Sequence, residues 1–227
     1  METDLIKQYV QELGSTQSPG STVTQGHTYN PIPFPGYDKL PCHRRDASIK
    51  RWEKIDAIVG NWKDKLVLDY GCSTGYFTFQ AAKAGASVLS IERDLQAAKV
   101  FIAVLAKFDK EYKLKVTLKK YWDASCKNSD WHIVFAMNIL NWIGKEKAEM
   151  FLADLGNVGV MFLEMPLKGD GMCGSDWLST DTDTIEWVKQ KSKFDSVQPI
   201  GSSAGPGGKE RTLFLCHSLK ETPVKSI

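Results

Sequence analysis

The chain has 227 residues, 42% of them apolar, and a formal net charge of +2. That length suits one α/β domain with an appendage rather than two full domains, and that apolar share supports a sizeable core. The near balance of charge gives no reason to expect a polyanionic partner, no run is long and apolar enough to span a bilayer, and the acidic start Met1-Glu2-Thr3-Asp4 lacks the apolar stretch of a secretory leader.

Cysteine usage points the same way. Cys42, Cys72, Cys126, Cys173 and Cys216 are odd in number and show no C-x-x-C spacing. A disulfide framework or zinc site is not expected, and the pattern reads as a reduced, cytoplasmic protein.

In chain order, residues 1–14 carry Leu5, Ile6, Tyr9, Val10 and Leu13 at helical spacing and stop at Gly14. Residues 15–30, rich in Ser, Thr, Gly and Gln, read as a loop. In Tyr29-Asn30-Pro31-Ile32-Pro33-Phe34-Pro35-Gly36-Tyr37, prolines alternate with apolar residues and enforce an extended path. This segment is either a rigid strap across the domain or an aromatic wall over an active site. After His43-Arg44-Arg45-Asp46, the residues Ile49, Trp52, Ile55, Ile58 and Val59 predict a helix over 48–59, stopped by Gly60-Asn61. Residues 1–60 thus form an N-terminal cap, 61–218 the main domain, and 219–227 a tail.

From residue 65 the alternation is regular. Strands are expected at 65–70, 87–91, 115–120, 131–137, 158–164, 194–200 and 211–217. Helices are expected at 76–84, 95–108, 145–155 and 182–192, the second with Leu95, Ala98, Ile102 and Leu105 on one face. Such alternation implies a mostly parallel sheet covered on both faces. Only the glycine-rich 201–208 joins the last two strands. It is too short for a helical crossover, so they should pair antiparallel. The expected class is α/β: a Rossmann-like, seven-stranded, mostly parallel sheet with an antiparallel last strand.

The informative stretch is Leu66-Val67-Leu68-Asp69-Tyr70-Gly71-Cys72-Ser73-Thr74-Gly75-Tyr76-Phe77. It reads strand, tight turn, helix, the arrangement that presents backbone N–H groups to a nucleoside at a strand's carboxyl end. A dinucleotide fingerprint needs glycine where Ser73 stands, so that spacing fails. Glu92 follows a second apolar run and suits a ribose diol, because one carboxylate accepts from two adjacent hydroxyls.

Together with Val88-Leu89-Ser90-Ile91-Glu92, this stretch resembles the class I S-adenosylmethionine-dependent methyltransferases. The resemblance implies S-adenosylmethionine as cofactor and covers roughly residues 63–217, with its specific motifs in the first third. It implies that Asp69 and the loop residues Gly71, Cys72, Ser73, Gly75, Tyr76 and Phe77 surround the methionine part. Glu92, with Arg93 beside it, would hold the ribose. Asp123 would take the adenine amine, with Trp122 packing on the ring. Asn138, ending the fourth strand, would lie beside the sulfonium, and Arg51 looks like the arginine that relatives carry near the cofactor. Arg44 or Arg45 could contact an anionic substrate. Cys72 reads as a small buried side chain rather than a nucleophile.

The acceptor is harder to read, because methyl transfer needs alignment more than a fixed motif. Ala136-Met137-Asn138-Ile139 lacks the Pro-Pro-aromatic signature of adenine-N6 enzymes and the Pro-Cys pair of cytosine-C5 enzymes. No double-glutamate loop of protein-arginine enzymes is present. Candidate bases are His43, which titrates in a useful range, and Glu164, which ends the fifth strand, with Asp46 and Asp170 behind them. His132 lies at the wrong end of its strand. The glycine-containing segments 165–174 and 202–209 are candidate pocket loops. Lysines 107, 110, 113, 115, 119 and 120 form either an RNA-facing patch or ordinary solvated surface. The expected activity is methyl transfer to a small-molecule or glycan-type acceptor at oxygen. The alternatives are an RNA methyltransferase and a non-catalytic S-adenosylmethionine-binding partner subunit.

Overall fold

The computed structural model describes residues 4–13, 26–127, 130–156, 158–170, 177–204 and 210–218. Residues 15–25 of the expected 15–30 loop, part of each candidate pocket loop and the tail at 219–227 lie outside those residues.

Two helices precede the sheet. Helix α1 (Leu5–Glu12) is capped by the Asp4 carboxylate, which accepts the Lys7 N–H. Helix α2 (Arg45–Val59) starts three residues earlier than the periodicity predicts and ends at Gly60, whose φ of 66° suits glycine. Then follow β1 (Leu66–Tyr70), α3 (Tyr76–Lys83), β2 (Ser87–Ile91), α4 (Leu95–Tyr112), β3 (Lys115–Lys119), the short α5 (Ala124–Lys127) and β4 (Ile133–Met137). The chain continues through α6 (Leu140–Ile143), α7 (Lys145–Asp154), β5 (Val160–Glu164), α8 (Asp181–Lys191), β6 (Ser196–Ala204) and β7 (Glu210–His217).

The strands form one seven-stranded sheet in the order β3-β2-β1-β4-β5-β7-β6. The pairs among β1 to β5 are parallel, while β7 is antiparallel to both β5 and β6. The order reverses at β1, between β2 and β4, which is the topological switch point where open α/β sheets bind ligands. Side chains alternate across the sheet. Val67, Phe135, Phe162, Leu213 and Leu215 face the core under α1 to α4, and Leu68, Val134, Met161, Phe214 and Cys216 face the core under α7 and α8. His132, at the amino end of β4, accepts the Leu66 N–H through Nδ1 at 3.0 Å, a structural role far from the ligand end.

Two expectations need correction, and one open alternative is resolved. Helix α4 turns a different face inward: Ala97, Val100, Phe101, Val104 and Phe108 are buried, whereas Leu95 and Ile102 are exposed. The buried set follows i, i+3, i+4, i+7 and carries both phenylalanine rings, so it makes the larger apolar stripe. Strand β6 runs on through 201–204, past a register irregularity between Pro199 and Gly201, so half of the expected glycine loop is strand. From Pro31 on, the proline-rich segment straps the helical layer, while Tyr29 at its start reaches the sheet's carboxyl end. Phe34 stacks on Phe108 with centroids 4.2 Å apart, and the Tyr37 hydroxyl bonds Asp4 at 2.7 Å and Lys107 at 2.6 Å. A groove of about 890 Å³ runs between that strap, α2 and α3.

Candidate functional site

The loop after β1 is built from three left-handed positions: Gly71 (φ 78°), Ser73 (φ 53°) and Gly75 (φ 92°). Gly71 and Cys72 both donate backbone N–H groups to the Ile91 carbonyl, and Gly75 donates to Cys72. The chain thereby doubles back into α3 with its first N–H groups facing the carboxyl end of the sheet. A Cβ at Gly75 would collide with Phe79 and Phe101, so this glycine lets α3 approach α4. A Cβ at Gly71 would collide with the Ile139 side chain from the turn after β4. The close approach at Gly71 is thus made by the protein's own isoleucine.

Glu92 fastens this loop. One carboxylate oxygen accepts the Ser73 N–H at 2.7 Å and the other the Asp94 N–H at 2.7 Å. Burial raises its pKa, and these backbone donors oppose that rise. A carboxylate has about four lone-pair sites, so two remain for a diol. Arg93 beside it is exposed.

Asp69 sits beneath the loop, not in it. It is 2% exposed and accepts from the Thr78 hydroxyl at 2.6 Å; that hydroxyl is also 2.7 Å from Ser90 Oγ. Burial pushes its pKa up to about 7. Asp69 therefore joins β1, α3 and β2 from behind and shapes the loop rather than facing a ligand. Cys72 is buried, and burial pushes its thiol well above the ordinary value, which suits an inert packing residue. Tyr76 and Phe77 are buried in the first turn of α3, with the Arg51 guanidinium 5.5 Å from the Phe77 ring centroid.

On the other flank, half-buried Trp122 packs edge-on against Tyr70 and Phe151. Asp123 is exposed, pairs with Lys119 at 3.1 Å, and its carbonyl accepts the Cys126 N–H that opens α5. Asn138 ends β4 at a φ of 62°, a conformation asparagine tolerates. Its Nδ2 donates to the Tyr29 hydroxyl at 3.2 Å. Among the described residues, its buried Oδ1 and the buried Thr74 Oγ1 have no hydrogen-bond partner. The orphaned Thr74 Oγ1 and the open lone pairs of Glu92 fit the polar groups of an adenosyl cofactor laid across the ends of β1 and β2, with the orphaned Asn138 Oδ1 beside them at the end of β4.

Beyond Asn138 lies a buried ionic cluster. Glu164, fully buried at the end of β5, accepts from Arg44 Nη1 at 2.7 Å and from Arg51 Nη1 at 2.9 Å. Arg211, opening β7, donates from Nε to Asp170 at 2.6 Å and lies 3.9 Å from Glu164. Burial alone would raise the Glu164 pKa, but Arg51 and Arg44 outweigh it and hold the carboxylate below its ordinary range. This corrects the expectation of Glu164 as a base: it is a clamp for guanidinium groups. His43 is exposed and stacks on His27 with centroids 5.3 Å apart, and partial burial with the neighbouring His27 lowers its pKa. Asp46 is exposed in the first turn of α2.

Two residues of this cluster escape the sequence reading as site residues. Tyr29, the first residue of the segment read as strap or aromatic wall but not singled out there, accepts from Arg44 at 3.0 Å, Arg211 at 3.3 Å and Asn138 at 3.2 Å, and so covers the end of β4. Arg211 shares the inward register of Leu213 and Leu215, so an arginine at that position of an apolar strand was its signal. The lysine-rich surface is partly paired internally: Lys107 bonds Tyr37, Lys119 pairs with Asp123, and Lys115 lies 4.0 Å from Asp64. Among the described residues no group of metal-binding side chains and no helix able to cross a membrane is found.

No known family model matches the chain, and no curated protein matches it. Solved structures do. The bifunctional kinase-methyltransferase WbdD superposes with a TM-score of 0.65 at 16% identity, over 93% of this chain and 46% of that one. The present chain thus spans about half the length of WbdD. Magnesium protoporphyrin IX methyltransferase (ChlM) from Synechocystis PCC 6803, with bound S-adenosylmethionine, gives 0.58 at 18% identity over 76% of this chain and 80% of that one. EvdMO1 gives 0.59 at 12% identity over 84% and 44%. At these identities the likeness concerns architecture: the chain has a Rossmann-like methyltransferase fold.

Proposed function

We propose that this protein is an S-adenosylmethionine-dependent methyltransferase that modifies a small-molecule or glycan-type acceptor at oxygen. The observation that carries the reading is the loop from Gly71 to Gly75 at the switch point of the sheet, fastened by Glu92 through the Ser73 N–H. The cofactor would supply an activated methyl group on sulfur. The protein's own part is to orient and to exclude water. Glu92 would hold the ribose diol, and the first turn of α3 would face the methionine part. Asn138 Oδ1 would orient a polar acceptor beside the end of β4. Trp122 and Asp123 remain the proposed adenine side. A screen for labelled-methyl transfer across glycans, phenols, carboxylic acids and RNA tests the reading. Incorporation into a hydroxyl or carboxyl acceptor supports it, and incorporation into RNA alone replaces it.

One observation favours a second reading, a non-catalytic relative that binds the cofactor as a partner subunit. Both oxygens of Glu164 are engaged by guanidinium groups, which leaves it no role as a proton acceptor. Cofactor binding without turnover across that screen would favour this alternative.

A further inference from the structure

The cluster at the ends of β5 and β7 carries more positive than negative charge. Arg44, Arg51 and Arg211 bring three formal positive charges against two negative ones from Glu164 and Asp170. All three arginines are buried, at 3%, 2% and 1% exposure. A guanidinium has five N–H groups. Arg44 directs four of them at Tyr29, Glu164, Ser203 and the Ala204 carbonyl. Its Nε, and Nη2 of Arg211, have no partner among the described residues although both are buried; one acceptor of the cluster, Asp170 Oδ1, is likewise buried without a partner, so the orphaned donors outnumber it two to one. The Tyr29 oxygen already faces three donors, more than its two lone pairs can serve. Leaving charged donors buried and unanswered is costly, and one unpaired positive charge in such a place costs more. A bound anion would answer both deficits at once.

The position decides whose anion it is. Strands lie about 4.8 Å apart, so β5 and β7 stand roughly 10 and 14 Å from the glycine loop on β1. By that spacing a group held by Arg44 and Arg211 lies beyond Asn138 from the loop, although Arg51 of the same cluster reaches back to 5.5 Å from the Phe77 ring, so a titration must separate the two sites.

We infer that the methyl acceptor carries an anionic group, a carboxylate or a phosphate, seated on Arg44 Nε and Arg211 Nη2 beneath Tyr29. The inference rests on the methyltransferase reading and adds the acceptor's charge class. The Tyr29 segment must shift to admit such a molecule, because the donors are enclosed.

The test is calorimetry on the full chain, titrated first with S-adenosylhomocysteine. The loaded protein is then titrated with inorganic phosphate and with oxalate. The expected result is one site per chain for at least one anion, formed without loss of S-adenosylhomocysteine. Arg211→Gln should weaken it about tenfold or more while S-adenosylhomocysteine affinity holds. Should that variant fail to fold, wild-type crystals soaked in the same anions decide the matter through density within hydrogen-bond reach of Arg44 Nε and Arg211 Nη2. S-adenosylhomocysteine binding with neither anion binding at ~50 mM overturns this inference alone. Mutual exclusion of anion and S-adenosylhomocysteine overturns it as well, by assigning the arginines to the cofactor. Absence of S-adenosylhomocysteine binding overturns the methyltransferase reading and this inference with it.

Discussion

Glu92 accepts the backbone N–H of Ser73 at 2.7 Å, so the acid ending β2 holds the middle of the loop that follows β1. Ser73 stands at a φ of 53°, a conformation costly for a serine without such a tie. The same carboxylate takes the Asp94 N–H just ahead of α4. One side chain thus fixes a loop, sets the approach to a helix, and keeps lone pairs free on the ligand side.

Replacing Glu92 by glutamine should separate these roles poorly and weaken both. Glutamine offers one acceptor oxygen where the carboxylate offers two, so one backbone donor loses its partner. S-adenosylhomocysteine affinity should fall about tenfold to a hundredfold, with a drop in melting temperature, by calorimetry and thermal denaturation. Unchanged affinity would remove Glu92 from the cofactor site.

Asp69 gives a pH signature. Its native pKa is pushed up to about 7 by burial. Between the ordinary carboxylate range and about pH 7, the native state keeps a proton that the unfolded chain has released. Stability from this group is therefore full at low pH and lost as pH rises through that window, by about 4 kcal/mol at the upper end. Asp69→Asn should flatten the fall in urea midpoint between about pH 4 and 7. An unaltered slope would contradict the burial account.

Glu164 works with the opposite sign. Its pKa is held below the ordinary range, so its contribution is present above that range and lost as pH falls through the native value. Glu164→Gln would leave three buried guanidinium groups facing Asp170 alone. Denaturant titration at neutral pH should show a loss of about 3–5 kcal/mol, the cost typical of breaking a buried pair. A loss below about 1 kcal/mol would mean that the pair is exchangeable for a neutral group.

Gly71 and Ile139 form a testable contact. Alanine at 71 meets the Ile139 side chain and also sits at positive φ. Gly71→Ala should cost roughly 1–3 kcal/mol. Adding Ile139→Ala should return part of that cost, and the double-mutant cycle measures how much. Strict additivity would show that backbone strain, not the contact, is the whole effect.

The architecture was legible because its signals are local and periodic. Apolar runs of strand length alternate with helical patterns, and the short link between β6 and β7 forced an antiparallel pair. The glycine loop was legible for a similar reason: Gly71 and Gly75 mark positive-φ positions in sequence. Other features depended on partners far along the chain. In α4, two apolar faces competed, and the packing of Phe101 on Phe79 chose between them. Glu164 looked like a pocket acid because its partners Arg44 and Arg51 lie 120 and 113 residues away. Tyr29 was grouped with neighbours for which strap and wall stayed open, and only the structure divides them: those neighbours pack on α3 and α4 while its hydroxyl reaches Arg211, 182 residues on.

The most direct measurement is a calorimetric titration of the wild-type chain with S-adenosylhomocysteine, alongside nicotinamide adenine dinucleotide as a control. The account predicts one saturable site for the adenosyl compound, with a crystal of the complex placing its ribose diol on Glu92, and no binding of the dinucleotide. Dinucleotide binding without S-adenosylhomocysteine binding, or an adenosyl ligand bound away from the Gly71–Gly75 loop, would contradict it.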